Sequence, residues 1–249
     1  MEQITVTGMV LVTTPVGEYD KRVVMLTKER GRIAAFARGA RRPNSPLAGV
    51  TEPFSFGTFA LYEGRTSYTL TSASISNYFA ELRTDVEGAC YGFYFLDIAS
   101  YYSREANDET QLLKLLYQTM RALTKKSLPD RLIRCIYELK AVTVNGEGPD
   151  VFHCVLCRKE GTGGVFSPRR GGLVCAGCSA QAPDGIPLDP STLYAMQYIE
   201  ASSIEKLYTF TVSEKVLLEL ETVMRRYMEI YVDRHFKSLD ILEQMTAAP

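Results

Sequence analysis

The sequence predicts an α+β multidomain chain: a small five-stranded β-barrel over residues 1–80, then an all-helical domain over 81–249 that carries a cysteine-rich insertion at 148–188. Three observations predict it. Short β-branched and aromatic runs, broken by turn residues every 8–12 positions, fill the first eighty residues. From about residue 81 the apolar period becomes helical and capping residues open the segments. Four of the six cysteines then fall, as two C-x-x-C pairs, in a Gly/Pro-rich interruption of that helical pattern.

Ile4–Val12 is rich in Thr and Val, with Ile4, Val6, Val10 and Val12 on one side, and Gly17 and Asp20 turn the chain after it. Lys21–Thr27 and Arg32–Arg38 flank Glu29-Arg30-Gly31, a hairpin-type connection. Phe54–Tyr62 sets aromatics between small residues, and Gly64 turns it into Ser67–Ser72. Five strands at this spacing suit a small closed barrel; OB-folds and SH3-like barrels share the inventory, and periodicity does not separate them. Gly88–Ser103 is apolar on nearly every face and reads as a buried central helix. Asp108 caps a helix carrying Leu112, Leu116, Met120 and Leu123. Pro129 opens the next at its first position, with Leu132, Ile136 and Leu139 inward and Gly146 past its end. Asp189-Pro190 pairs a cap with a first-turn proline, and Ser213 caps a long helix striped by Val216, Leu220, Met224, Tyr227 and Tyr231. The terminal TAAP reads as a frayed tail.

Composition narrows the function classes. With 46% apolar and 23% charged residues the chain can bury a sizeable core. No stretch reaches the roughly 18–20 uncharged apolar residues that span a bilayer, so no membrane role is expected. The first residues lack a basic segment and a cleavage site, which points to a cytoplasmic address. Lys and Arg number 28 against 29 Asp and Glu, so nucleic-acid binding would need a local patch. Two histidines, without H-x-E, Walker or G-x-S-x-G patterns, are poor material for acid–base or nucleophilic catalysis; no catalytic residue is assigned and no enzyme is expected.

Cys154-x-x-Cys157 and Cys175-x-x-Cys178 have the spacing of a structural Zn²⁺ knuckle. Each pair supplies two thiolates from a tight turn, and two turns close a tetrahedron with no position open for catalysis. A redox dithiol would need a βαβ context that is missing here. His153 precedes the first cysteine and reads as an exposed or supporting residue; Cys90 and Cys135, amid helical apolar residues, read as small core side chains.

Residues 21–42 hold eight basic side chains, Lys21, Arg22, Lys28, Arg30, Arg32, Arg38, Arg41 and Arg42, against the single Glu29. Such a run also fits a solvated face. In a barrel, however, a positive strip beside aromatic rings is the equipment that binds single strands. Phe36, Phe54, Phe56, Phe59, Tyr62 and Tyr68 are the available rings, several of which must fill the interior. The Arg38–Arg42 loop, short of acidic neighbours in sequence, is the first choice for phosphate contact. Arg169 and Arg170, between the cysteine pairs, are a second phosphate contact or two exposed loop charges.

The runs GEYD, LTKERG and ARGARRP, followed by YELKAVTVNGEGPDVFHCVLC, GGLVCAGC and MRRYMEIYVDRHFKSLDIL, resemble the bacterial RecO family of recombination mediators over essentially the whole chain. The resemblance implies an N-terminal OB-fold, a helical body and a zinc-finger insertion. It also implies binding to single- and double-stranded DNA, strand annealing, and help in replacing single-strand-binding protein with the RecA recombinase. Its implied partners are RecR, RecF in many members, and the acidic, apolar-ended C-terminal tail of single-strand-binding protein. For that tail, Lys114, Arg121, Lys125, Lys126, Arg131 and Arg134 on two successive helices are the expected basic rim. One departure is the acidic balance of residues 181–249, eleven acidic against six basic, which weakens them as a DNA surface. A zinc-knuckle, OB-type RNA-binding or transcription-associated module would use the same residues and is the alternative.

Overall fold

Alternating inward side chains close the first five strands into a barrel in the computed structural model, which describes residues 2–65 and 67–246. The strands are β1 (Glu2–Val16), β2 (Asp20–Thr27), β3 (Gly31–Ala37), β4 (Phe56–Glu63) and β5 (Tyr68–Asn77), in the order β1-β2-β3-β5-β4. The long β1 pairs with β4 along its first half and with β2 along its second, bending at a bulge between Val10 and Val12. A short parallel pairing, Ala35 with Tyr68 and Phe36 with Thr69, joins β3 to β5 and makes this the OB arrangement. Val6, Val10, Val23, Met25, Ile33, Ala35, Phe59, Leu61 and Leu70 fill the interior. Full burial of each large side chain contributes about 1.5–3 kcal/mol. Gly31, at φ +65°, makes the β2–β3 turn, where a Cβ would lie 2.2 Å from the Arg104 carbonyl oxygen.

Among the described residues six α-helices follow: α1 (Val86–Tyr102), α2 (Thr110–Lys125), α3 (Asp130–Val144), α4 (Pro190–Ala201), α5 (Glu214–Tyr231) and α6 (Lys237–Thr246). The expected caps are present: Asp108 accepts from the Thr110 N–H, Asp189 from Ser191 and Ser213 from Val216. Pro129 stands one residue before α3 as its cap, not at its first position. Between α3 and α4 lie the short strands β6 (Gly164–Ser167), β7 (Gly172–Cys175) and β8 (Ile186–Pro187). Past Thr246 the expected tail falls outside the described residues.

Contacts divide the chain into two compact units, one running to Thr124 and resuming at Phe236, the other spanning Lys125–His235. The division therefore differs from the one expected at residue 80. In the first unit α1 packs on the barrel and on α6. Phe236 buries its ring against Tyr94 and Tyr101, with centroids 5.9 and 6.0 Å away, and Ser238 donates to Asp97 at 2.6 Å. The second unit packs α3 against α4 and α5. Buried Lys140 on α3 donates to the carbonyls of Ile199, Glu200 and Ser202 and so caps the end of α4. Among the described residues no helix is long and apolar enough to cross a membrane.

Candidate metal centre and nucleic-acid interface

In the second unit, Asp150 starts the candidate metal centre. Its carboxylate accepts from the N–H groups of Phe152 and His153 and from Arg158 Nη1 at 2.8 Å, which fixes the turn that presents Cys154. Arg158, at φ +59°, donates its N–H to the Cys154 carbonyl and reverses the chain after Cys157. On the other side β7 delivers Cys175, and a turn of 3₁₀ helix over Ala176–Gln181 brings Cys178 back towards it. The four Sγ atoms lie within 4.8 Å of one another, with Cys157 and Cys175 3.7 Å apart. Four thiolates around a metal at about 2.3 Å would be about 3.8 Å apart, so the cluster fits a tetrahedral ion.

Electrostatics favour a cation there. Burial pushes the Cys154 thiol up, but N–H donors from Cys175, Cys157 and Leu156 outweigh it and bring the group down to about 6. Cys178 is pushed up to about 12 because Cys157 and Cys175 share its proton. Four sulfurs so close cannot all ionise without a positive charge among them. His153 is no ligand: it is half exposed and faces Asp150 at 3.6 Å. Cys135 is buried and Cys90 half-buried, their thiols both pushed up by burial, as core side chains would be.

The hairpin between the cysteine pairs turns at Gly171, φ +71°, where a Cβ would meet the Tyr231 hydroxyl at 2.7 Å. Arg169 and Arg170 stand on that tip, both exposed. Arg170 donates to the Gln181 carbonyl, whereas the Arg169 N–H is held by Asp184. The Arg169 side chain shares a depression with Asp184, Arg226 and Glu229, so it has acidic neighbours that the local sequence does not reveal.

In the first unit the strand register splits the basic run. Lys21 lies opposite Ala37 and Thr27 opposite Gly31. Lys28 and Arg30 are therefore at one end of the hairpin, and Arg22 and Arg38 at the other, about 20 Å away at roughly 3.3 Å per residue. Three members of the run do internal work. Lys21, with only 13% of its side chain exposed, donates to Glu52 at 2.7 Å and to Thr51 at 3.1 Å, pinning the β3–β4 connection. Arg32 donates to the Ser100 carbonyl at 2.8 Å and ties β3 to α1. Arg30 pairs with Glu63. A continuous eight-residue strip is thus replaced by a cluster of Arg22, Arg38, Arg41 and Arg42, all exposed, with Lys28 at the far end.

The cluster has a backing. On the outer face, pairing places Thr14, Arg22, Phe36 and Thr69 in one row across β1, β2, β3 and β5. The β1–β2 turn folds against residues 39–42, a contact absent from the sequence-based expectations. Asp20 accepts from the Gly39 N–H at 2.7 Å, Arg41 donates its N–H to the Tyr19 carbonyl and a guanidinium N–H to the Gly17 carbonyl, and the Arg42 guanidinium lies 5.3 Å from the Tyr19 ring centroid. Of the six candidate rings, Phe59 and Tyr68 fill the barrel. Phe54 packs on Phe93 of α1 and Phe56 on Tyr117 of α2. Phe36, half-buried on the outer row, and exposed Tyr62 remain accessible.

The six residues expected as a basic rim are divided between the units, Lys114 and Arg121 in the first and the others in the second. Arg131 holds Glu221 through two nitrogens and Glu214 through a third. Arg134 pairs with Glu138, and Lys126 with Asp130. The carboxylates that neutralise Arg131 come from α5, more than eighty residues away in sequence. Arg131→Glu is therefore expected to cost about 1–2 kcal/mol in urea unfolding, discounted for its partial exposure, because it leaves like charges facing one another. Lys125→Glu, at an exposed position, should stay within about 0.5 kcal/mol.

Two family profiles match: the one described as recombination protein O N terminal over residues 1–79, and the one described as recombination protein O C terminal over 83–240. Curated relatives match over nearly full length. The chain is 30% identical over 240 residues to the DNA repair protein RecO of Alkaliphilus metalliredigens, covering 96% of this chain and 98% of that protein. Identity is 31% to the DNA repair protein RecO of Halalkalibacterium halodurans and 30% to that of Bacillus subtilis, each covering 96% of this chain and 93% of the relative.

Proposed function

The chain belongs to the RecO family of DNA repair proteins, and from that premise we propose that it serves recombinational repair as a non-enzymatic mediator in the cytoplasm. In this reading it binds single- and double-stranded DNA, brings complementary strands together, and helps exchange single-strand-binding protein for RecA, in company with RecR and RecF. The observation that carries it is the exposed cluster of Arg22, Arg38, Arg41 and Arg42 around Phe36 and Tyr19 at one end of the barrel. Guanidinium forks suit phosphate oxygens, and neutralising phosphate charge lowers the repulsion between two strands. Annealing needs no bond-making chemistry, and a Cys₄ centre leaves no open coordination position for any. The ion proposed for Cys154, Cys157, Cys175 and Cys178 is Zn²⁺, acting as a staple of the knuckle.

The test is annealing of complementary strands pre-coated with the cognate single-strand-binding protein, without nucleotide. Acceleration by the protein, with loss of acceleration in the Arg38→Ala/Arg41→Ala/Arg42→Ala variant, supports the reading. Failure to accelerate coated strands at any protein ratio would overturn it. Tail capture is tested separately: of the proposed rim, Arg121 and Lys125 are exposed. Their charge reversal should weaken binding of an acidic tail peptide while DNA affinity holds.

A further inference from the structure

We infer that Tyr19 is a base-stacking platform, so that this end of the barrel takes an unpaired strand with a base on Tyr19 and phosphates on the neighbouring arginines. The inference rests on the DNA-binding reading above and deepens it by naming the form of nucleic acid.

A tight turn from β1 into β2 needs small polar residues, yet this one carries a tyrosine that stays 41% exposed. The turn is not loose. Asp20, Arg41 and Arg42 each bind it, through the Gly39 N–H, the Gly17 and Tyr19 carbonyls and the Tyr19 ring respectively. The Arg42 guanidinium at 5.3 Å is within the distance at which a cation is attracted to a ring face, which holds the phenol in place without burying it. The ring is thus fixed and open, which is what stacking requires and what folding alone does not.

Charge separates the roles along the surface. Glu18 and Asp20 flank Tyr19 in sequence, so phosphate contacts fall to the guanidiniums around the turn and the ring itself is left for a base. Arg22 and Arg38, at exposed positions, form no ion pair among the described residues. Phe36 lies directly opposite Arg22 across the β2–β3 pairing and adds a second, half-buried ring. An uncharged π-face beside carboxylates suits a base, while the exposed guanidiniums of Arg22 and Arg38 suit the backbone. A duplex presents only base edges in its grooves, so it cannot use the ring; an unpaired strand can.

The chain contains no tryptophan, so Tyr19→Trp introduces a single indole reporter at this position. The experiment titrates that variant with an oligonucleotide and with its duplex, following indole emission and, independently, the anisotropy of dye-labelled DNA. The expected result is quenching by the single strand and none by the duplex. Tyr19→Ala should weaken single-strand binding about five- to a hundred-fold, leave duplex binding unchanged, and leave the salt slope unchanged because no charge is lost. Single-strand binding by anisotropy without quenching, together with unaltered affinity in Tyr19→Ala, would overturn the inference and leave the DNA-binding reading standing. Absence of binding to either form by the unsubstituted protein would overturn that reading itself.

Discussion

Removing the metal from the purified protein is expected to loosen residues 148–188 while the barrel unit keeps its fold. Protein expressed with ample zinc should carry one ion per chain, and either a strong chelator or Cys154→Ser should release it. Cys154 is the ligand whose loss should matter most, since it is fully buried and its sulfur accepts the Cys175 N–H that closes the two turns on each other. Structural zinc sites in isolated finger peptides contribute about 10–16 kcal/mol to folding. Here the knuckle has only a small buried core of its own, Cys154, Val174 and Ala182, so an ion held by the four sulfurs would be expected to carry much of its stability. The helices of the second unit have packing of their own, including Leu132, Ile136, Leu220 and Val223, all buried. Hydrogen exchange should therefore accelerate across β6 and β7 by orders of magnitude, with much smaller changes in α3 and α5. The barrel, in the other unit, should show none. Elemental analysis without metal would contradict the assignment.

The parts of this protein that could be read from the chain are those set by local rules. Alternation and turn spacing were enough for five strands, because Val6, Val10, Val23 and Met25 must face one side of a closed sheet. The choice between barrel types depends on one parallel pairing, Ala35 with Tyr68 and Phe36 with Thr69, which joins residues more than thirty apart and leaves no periodic trace. Caps at Asp108, Asp189 and Ser213 were legible because each acts on an N–H two or three residues on. The cysteine cluster was legible because two turns of fixed spacing suffice to aim four sulfurs. The arginines were legible only as a run. What each one does is decided by distant partners: Glu52 for Lys21, Ser100 for Arg32, Glu221 for Arg131. The return of α6 to α1 turns on Phe236 finding Tyr94, an aromatic contact with no counterpart in sequence spacing. Tyr19 was missed because its partner, Arg42, lies across a turn that folds back only once the barrel is closed.

The Arg38→Ala/Arg41→Ala/Arg42→Ala variant is expected to bind DNA more weakly and with a shallower salt dependence. Arg41 and Arg42 contact a carbonyl and a ring, both neutral, so their charges remain available to phosphate alongside that of Arg38. Each lost phosphate contact lowers the slope of log K against log salt by about 0.7 for single strands or 0.9 for duplex, a total change of about 2–3. The loss should be alike for unrelated sequences, since phosphate carries no base information. Thermal stability should move little, because the three side chains are exposed. Arg169→Ala/Arg170→Ala should change the slope less, given the neighbouring Asp184 and Glu229. The decisive measurement is thus the salt slope of DNA affinity in the three-arginine variant, with folding checked by its unfolding midpoint. A drop of about 2–3 in slope is the predicted result; an unchanged slope in folded protein would mean that the arginine cluster is a solvated surface and that DNA is held elsewhere.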